Sequence, residues 1–148
     1  METFFNPLSV AIVGATEKPG SLPGIILKNL LSMGFKGKMY PVNPKYETVF
    51  GLNCFPSILD IPDEVALTVI AIPAPWVLDV LQQQAHKRIR HAIIISAGFR
   101  EKGAEGIEME ERIRRVAIEN DMRILGPNCL GVLDNYTNFT TSFLSWER

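Results

Sequence analysis

Ser9–Ala15 reads SVAIVGA, a β-branched apolar run that ends in a glycine and an alanine. A run this short and this apolar is typical of a strand that is buried on both faces, as in a parallel sheet. Further along, Gly24–Met33 carries Ile and Leu at helical spacing, and Gly34 follows as a helix terminator. The first part of the chain therefore predicts a buried strand, a glycine-containing turn and a helix.

The same alternation of apolar runs and helical patterns continues along the chain. Further strands are predicted at Lys38–Asn43, Val65–Pro73, His91–Ala97 and Met122–Leu125, and helices from Pro75 to about Lys87 and at Ala104–Asn120. Leu130–Leu133 and Asn138–Leu144 are expected to add short strands or a packed tail. Regular strand–helix alternation implies parallel strands joined by right-handed crossovers. We therefore predict an α/β protein: a Rossmann-like, doubly wound parallel sheet of five or six strands in a single domain.

Bulk properties narrow the class of protein. A length of 148 residues suits one domain, and a net charge of −1 gives no overall field that would favour nucleic acid or an anionic membrane. The most apolar stretch, Val65–Pro75, is too short and too rich in proline to span a bilayer. The N-terminus lacks the pattern of a signal peptide, so a cytoplasmic location is expected.

The motifs that carry chemistry fall where the predicted strands end, which is where open α/β sheets bind ligands. The first is the glycine-rich turn GATEKPGSLPG, residues 14–24. Its glycines allow close approach of the backbone, the following helix N-terminus offers N–H groups to an anion, and Thr16, Lys18 and Ser21 add donors. The turn matches neither GxGxxG nor a P-loop, and a tight turn without a ligand is the alternative.

The second and third motifs suit a nucleotide. An NAD-binding domain would usually carry an acidic residue after the second strand, whereas this chain has Asn43 and Lys45. A cation there suits a phosphorylated ribose, although a lone lysine is also common on a solvated surface. After the third strand, Ile72, Pro73 and Trp76 form an apolar wall against which an adenine could lie. The alternative is that Trp76 packs against a neighbouring helix.

The remaining motifs follow the fourth and fifth strands. Ser96, Ala97 and Gly98 are small enough to let a narrow ligand chain pass close to the backbone, although an ordinary turn has the same composition. In GPNCLG, residues 126–131, Asn128 can offer amide hydrogen bonds. Cys129 invites interpretation as a nucleophile, but His86 and His91 are predicted at the opposite end of the sheet. A structural cysteine is therefore the favoured interpretation.

Five of these motifs occur together in an order that resembles a known family. They are VAIVGAT, PVNPK, IPAP, SAGF and GPNCLGV, and they extend over nearly the whole chain. In this the chain resembles the N-terminal CoA-binding domain of ADP-forming (NDP-forming) acetyl-CoA synthetases and related acyl-CoA synthetases. It is similar, more distantly, to the start of the succinyl-CoA synthetase alpha subunit. The resemblance implies that the ligand is coenzyme A.

The resemblance also implies where each part of CoA lies. The turn of Gly14, Ala15, Thr16, Lys18 and Ser21 would hold phosphate, and Val42, Asn43 and Lys45 would lie beside the 3′-phosphorylated adenosine. Ile72 and Pro73 would flank the nucleotide, and Ser96, Ala97 and Gly98 would line the path of pantetheine. Asn128 would lie towards the thiol end, with Cys129 beside it.

The complete enzymes of this kind pass phosphate through a histidine in a following domain and use an ATP-grasp module. Neither histidine of this chain lies in a matching motif. We therefore expect residues 1–148 to form a CoA-binding domain of a longer multidomain ligase, inactive alone, with the phosphohistidine and ATP-grasp domains as partners. Two alternatives remain: a stand-alone regulatory domain that senses CoA or another nucleotide, and an NADP-binding oxidoreductase fragment in which Lys45 accepts the 2′-phosphate.

Overall fold

The computed structural model describes residues 2–144. Its strands, in chain order, are β1 (Ser9–Val13), β2 (Lys38–Val42), β3 (Thr48–Val49), β4 (Leu52–Asn53), β5 (Leu67–Ile70), β6 (His91–Ile94), β7 (Arg123–Leu125), β8 (Leu133–Asp134) and β9 (Phe139–Thr140). Its α-helices are α1 (Leu22–Met33), α2 (Val77–His86) and α3 (Ala104–Glu119). The predicted strands of the central sheet and the three predicted helices are confirmed, and their ends differ from the predicted ones by a few residues.

Five parallel strands form the central sheet, in the order β2-β1-β5-β6-β7. The chain runs outward from β1 to β2, returns to pair β5 with β1, and then continues in the other direction to β7. The order of the strands therefore reverses between β1 and β5. The sheet is doubly wound, and over residues 2–144 it has five strands, the lower of the two predicted numbers.

Helices cover both faces of the sheet. On one face, Ile26 and Leu27 of α1 pack in a cluster with Ile12 of β1, and all three are fully buried. On the other face, Leu81 of α2 and Ile113 of α3 belong to a second buried cluster. Burial on both sides explains why the strands read as continuous apolar runs. None of the described helices is both long and apolar enough to cross a bilayer.

The edge strand β2 contains a proline without losing its pairing. The Val42 carbonyl accepts a hydrogen bond from the Gly14 N–H at 2.8 Å, on the side of β1. The Pro41 carbonyl accepts from the Phe55 N–H at 2.9 Å, on the outer side. The missing proline N–H therefore falls where β1 needs no donor, as edge strands allow. The same contact brings the segment around Phe55 to the carboxyl end of β2.

The C-terminal segment forms a small antiparallel hairpin, β8–β9, that is separate from the central sheet. Phe139 is fully buried, and its ring centroid lies 5.2 Å from that of Phe35. Asn29 of α1 donates a hydrogen bond to the Ser142 carbonyl at 3.0 Å. The expected short strands are thus confirmed, and they pack against α1 rather than extending the sheet.

Candidate ligand site at the carboxyl ends of the strands

Two cavities open at the carboxyl ends of the central strands. The β1–β2 cavity has a volume of about 580 Å³, and the β6–β7 cavity has about 350 Å³. Ile72 and Pro73, just after β5, line both of them and form a shared wall. This wall lies beside the point where the strand order reverses, which is where ligands bind in sheets of this type.

The β1–β2 cavity collects residues from three strand ends. Trp76 lines it and is 61% exposed, so much of its aromatic surface is accessible to a ligand. Among the described lining residues none carries a carboxylate, and Lys45 supplies a positive charge. The candidate residues found together here are Gly14, Val42, Asn43, Lys45, Ile72 and Pro73.

Part of this cavity comes from a segment that sequence reasoning missed. Pro56, Ser57 and Ile58 line it although they belong to the long connection before β5. The Ser57 hydroxyl donates to Gln83 Oε1 of α2 at 2.8 Å and accepts from the Leu59 N–H at 3.1 Å. The residue types carry no signal for this role, because the pairing of Phe55 with β2 brings the segment to the site.

The β6–β7 cavity is largely apolar. Its lining residues are Leu22, Pro23, Ala71, Ile72, Pro73, Ile95, Ser96, Ala97, Asn128, Cys129, Leu130 and Phe143. The Ser96 hydroxyl accepts from the Ile72 N–H at 3.1 Å and donates to the Ile70 carbonyl at 3.4 Å. Ser96 thus fixes the shared wall. The Asn128 N–H donates to the Ser96 carbonyl at 3.0 Å, which joins the β6 and β7 exits.

The start of α1 differs from expectation. The sequence suggests a helix N-terminus with several amide groups free for an anion, and this detail is wrong. Ser21 caps the helix, and its hydroxyl accepts from the Gly24 N–H at 3.2 Å. Pro23 has no N–H to offer. Few amide donors of the first turn are therefore left for a ligand.

The other candidates in the turns lie outside the two cavities. Thr16 is 8% exposed, and its hydroxyl is bonded within the protein, to Tyr46 and to the Lys18 N–H. Lys18 lines a separate cavity of about 320 Å³ together with Lys28. The Ala15 carbonyl accepts from the Asn43 amide at 2.9 Å. In the β6 exit, the Gly98 N–H donates to Glu101 Oε1 at 2.5 Å.

Gly14 serves the packing of the strand ends. Its φ is +95°, a region that side chains rarely adopt. An added Cβ would lie 2.7 Å from the Ala71 carbonyl oxygen and 2.8 Å from Ile72 Cγ2. A glycine is therefore required here by the shared wall itself.

Cys129 lies far from both histidines. Its Sγ donates to the Ile94 carbonyl at 3.4 Å, and burial raises the pKa of the thiol. His91 begins β6 at the other end of the sheet, where its ring meets Phe4 edge-on at 5.3 Å between centroids. His86 lies at the end of α2. The arrangement favours a structural cysteine over a Cys–His nucleophile.

The position of Cys129 makes a labelling prediction. Because burial raises the thiol pKa of Cys129 and of Cys54, both should react slowly with iodoacetamide at neutral pH. Cys129 lines the β6–β7 cavity, so saturating acetyl-CoA, whose binding the sequence resemblance implies, should slow its labelling further by about 3-fold or more. Cys54 lines neither cavity and is the internal control. Peptide mass spectrometry measures both rates, and equal protection of the two thiols would contradict the prediction.

Known proteins resemble this chain over nearly its whole length. The chain is 46% identical over 144 residues to the ADP-forming acetate–CoA ligase II of Archaeoglobus fulgidus, covering 97% of this chain and 21% of that protein. It is 41% identical to the alpha subunit of the ADP-forming acetate–CoA ligase I of Pyrococcus furiosus, covering 97% and 32%. The solved dinucleotide-forming acetyl-coenzyme A synthetase 1 of Ca. Korarchaeum cryptofilum, with phosphate and ADP, aligns with a TM-score of 0.91 at 41% identity, covering 96% and 30%.

These relatives share one region with the chain. The chain spans about a fifth to a third of the length of the relatives it matches. The family model described as a CoA binding domain matches residues 8–135, which contain all five strands of the central sheet and every described lining residue of the two cavities except Phe143. The chain therefore belongs to the family of CoA-binding domains and is homologous to the CoA-binding region of ADP-forming acyl-CoA synthetases.

Proposed function

We propose that this chain is the CoA-binding part of an ADP-forming acyl-CoA synthetase and that it holds one CoA molecule across both cavities. The observation that carries the proposal is the shared wall of Ile72 and Pro73, which lies between two cavities at the point where the strand order reverses. A long ligand with a nucleotide at one end and a thin chain at the other fits two cavities joined in this way.

The β1–β2 cavity would hold the 3′-phosphorylated adenosine. Trp76 and Pro73 offer apolar surface to the adenine, and Lys45 offers a cation to the 3′-phosphate. The lack of a carboxylate among the described lining residues supports a phosphorylated ribose, since an NAD site would use an acid for the free hydroxyls.

The β6–β7 cavity would hold the pantetheine chain. Ala97 and Leu130 offer an apolar path, and Asn128 offers an amide near the end of that path. The thiol would then lie close to the GPNCLG turn. The diphosphate would lie near the glycine-rich turn that joins β1 to α1.

Synthesis of the acyl-CoA would require further domains. The histidines of this chain lie away from the proposed CoA site, at the end of α2 and the start of β6. We infer that a phosphohistidine domain and an ATP-grasp domain supply the phosphoryl transfer and that this chain alone is inactive. Mixing the chain with acetate, ATP and CoA should give no acetyl-CoA until such domains are added.

Calorimetric titration tests the binding assignment. CoA and acetyl-CoA should bind with one site per chain, and NAD should give no heat under the same conditions. NADPH is included because Lys45 could also meet a 2′-phosphate. A chain that responds to NAD or NADPH and stays silent with CoA would overturn the proposal.

Lys45→Ala tests the position of the 3′-phosphate. The substitution should weaken CoA binding by about 10-fold, the order of one charge-assisted hydrogen bond, and should leave dephospho-CoA almost unaffected. Lys36→Ala is the matched control. Lys36 is exposed in the turn before β2, at the opposite end of that strand from Lys45. An equal loss for CoA and dephospho-CoA would place Lys45 elsewhere on the ligand.

A further inference from the structure

The glycine-rich turn is bonded to the segment that follows β2. That segment, here named the hairpin segment, comprises residues 43–53 and carries β3 and β4. Three consecutive residues of the turn each make one hydrogen bond to it. The bonds run from Asn43 Nδ2 to the Ala15 carbonyl at 2.9 Å, from Thr16 Oγ1 to the Tyr46 hydroxyl at 3.2 Å, and from the Phe50 N–H to Glu17 Oε1 at 2.6 Å.

These bonds connect two parts of the wall of the β1–β2 cavity. Gly14 lines one side and precedes the bonded residues of the turn, whereas Asn43 and Lys45 line the other side and belong to the hairpin segment. The hairpin segment lies outside the central sheet, and the bond from the Gly14 N–H to the Val42 carbonyl joins the turn only to the residue before this segment. Beyond that point, the placement of Lys45 relative to residues 15–17 of the turn also depends on the three hydrogen bonds between turn and hairpin segment.

Tyr46 occupies the middle of this connection. It lines neither of the two cavities, and its ring packs at the edge of the core on the α1 face. Its hydroxyl bonds Thr16, whose own oxygen also accepts from the Lys18 N–H at 3.2 Å. The hydroxyl of Tyr46 thus acts on the conformation of the turn without reaching the cavity.

We propose that Tyr46 is a positioning residue for the nucleotide end of CoA, acting through Thr16 to hold the glycine-rich turn against the hairpin segment. The inference rests on the proposed function, because it assigns the nucleotide of CoA to the β1–β2 cavity. It adds a residue that lies outside the cavity. Its role is to align two parts of the cavity wall, and it performs this role without touching the ligand.

Tyr46→Phe removes the hydroxyl and keeps the packed ring. Titration with CoA and with 3′,5′-ADP, the nucleotide end alone, should show both dissociation constants raised by the same factor of about 3 to 10, the scale of one hydrogen bond. Tyr40→Phe is the matched control. It deletes a hydroxyl that donates to Asp63 at 2.6 Å near the start of β2, so it should lower the melting temperature and leave both constants unchanged.

A double-mutant cycle with Thr16→Val separates positioning from direct contact. If Tyr46 acts through Thr16, adding Tyr46→Phe to Thr16→Val should change the CoA dissociation constant by less than about 2-fold. Additive losses would overturn the inference, since the Tyr46 hydroxyl would then act independently of Thr16. An unchanged CoA constant for Tyr46→Phe would overturn it while leaving CoA binding intact. Failure of the unsubstituted chain to bind CoA would instead refute the proposed function, and the inference with it.

Discussion

Gly106→Ala should lower the free energy of unfolding by about 3 kcal/mol, although alanine normally favours a helix over glycine by about 1 kcal/mol. Gly106 lies buried in the first turn of α3, against the turn that follows β6. An added Cβ would lie 1.8 Å from the Phe99 carbonyl oxygen and 2.4 Å from its carbonyl carbon. Both atoms are backbone, so relief would require a shift of the helix or of the turn.

Urea unfolding followed by circular dichroism measures the effect. Glu108→Ala is the matched control, because Glu108 is an exposed residue of the same helix and its replacement meets no packed neighbour. The control should unfold close to the unsubstituted chain. A Gly106→Ala variant as stable as that control would show that α3 can move away from Phe99 at little cost.

Gly14→Ala should reduce both stability and CoA affinity. The positive φ and the contacts with Ala71 and Ile72 together predict a loss of about 3 kcal/mol in the free energy of unfolding. Because the added Cβ would press on the shared wall, we also expect CoA binding to weaken by about 10-fold or more, where each factor of ten corresponds to about 1.4 kcal/mol.

Gly20→Ala separates backbone strain from crowding. Gly20 has a φ of +75° in the same turn, and an added Cβ there meets nothing within 4 Å. It should therefore lose stability through φ alone and keep most of its CoA affinity. The measurements are urea unfolding and calorimetry at a temperature where every variant is folded. Similar CoA affinities for the two variants would show that crowding at Ile72 is unimportant.

The central sheet is the part of this molecule that its sequence predicts well. Strands such as Val10–Val13 are buried on both faces, so they carry an uninterrupted apolar pattern that local reading detects. The strand-end candidates follow from it, because parallel strands bring their carboxyl ends to one edge. Asn43, Lys45, Ile72 and Pro73 were identified in this way and line one cavity.

Local sequence patterns do not predict contacts between segments that are distant in the chain. Nothing in the sequence indicates that Pro56–Ile58 would reach the cavity or that the Thr16 hydroxyl would turn towards Tyr46. The cap of α1 is different, since serine is a preferred N-cap residue and proline is tolerated in the first turn of a helix. Ser21 could therefore have been recognised as a cap, and its hydroxyl is engaged by Gly24.

The shared wall of Ile72 and Pro73 limits how such a site can diverge. Its two faces belong to one short piece of backbone held by the Ser96 hydroxyl, so a substitution that reshapes the wall towards one cavity also alters the other cavity. Changes confined to one cavity are therefore easiest at positions that line that cavity alone, such as Ala97 or Leu130. The wall itself is expected to change slowly while those neighbours vary.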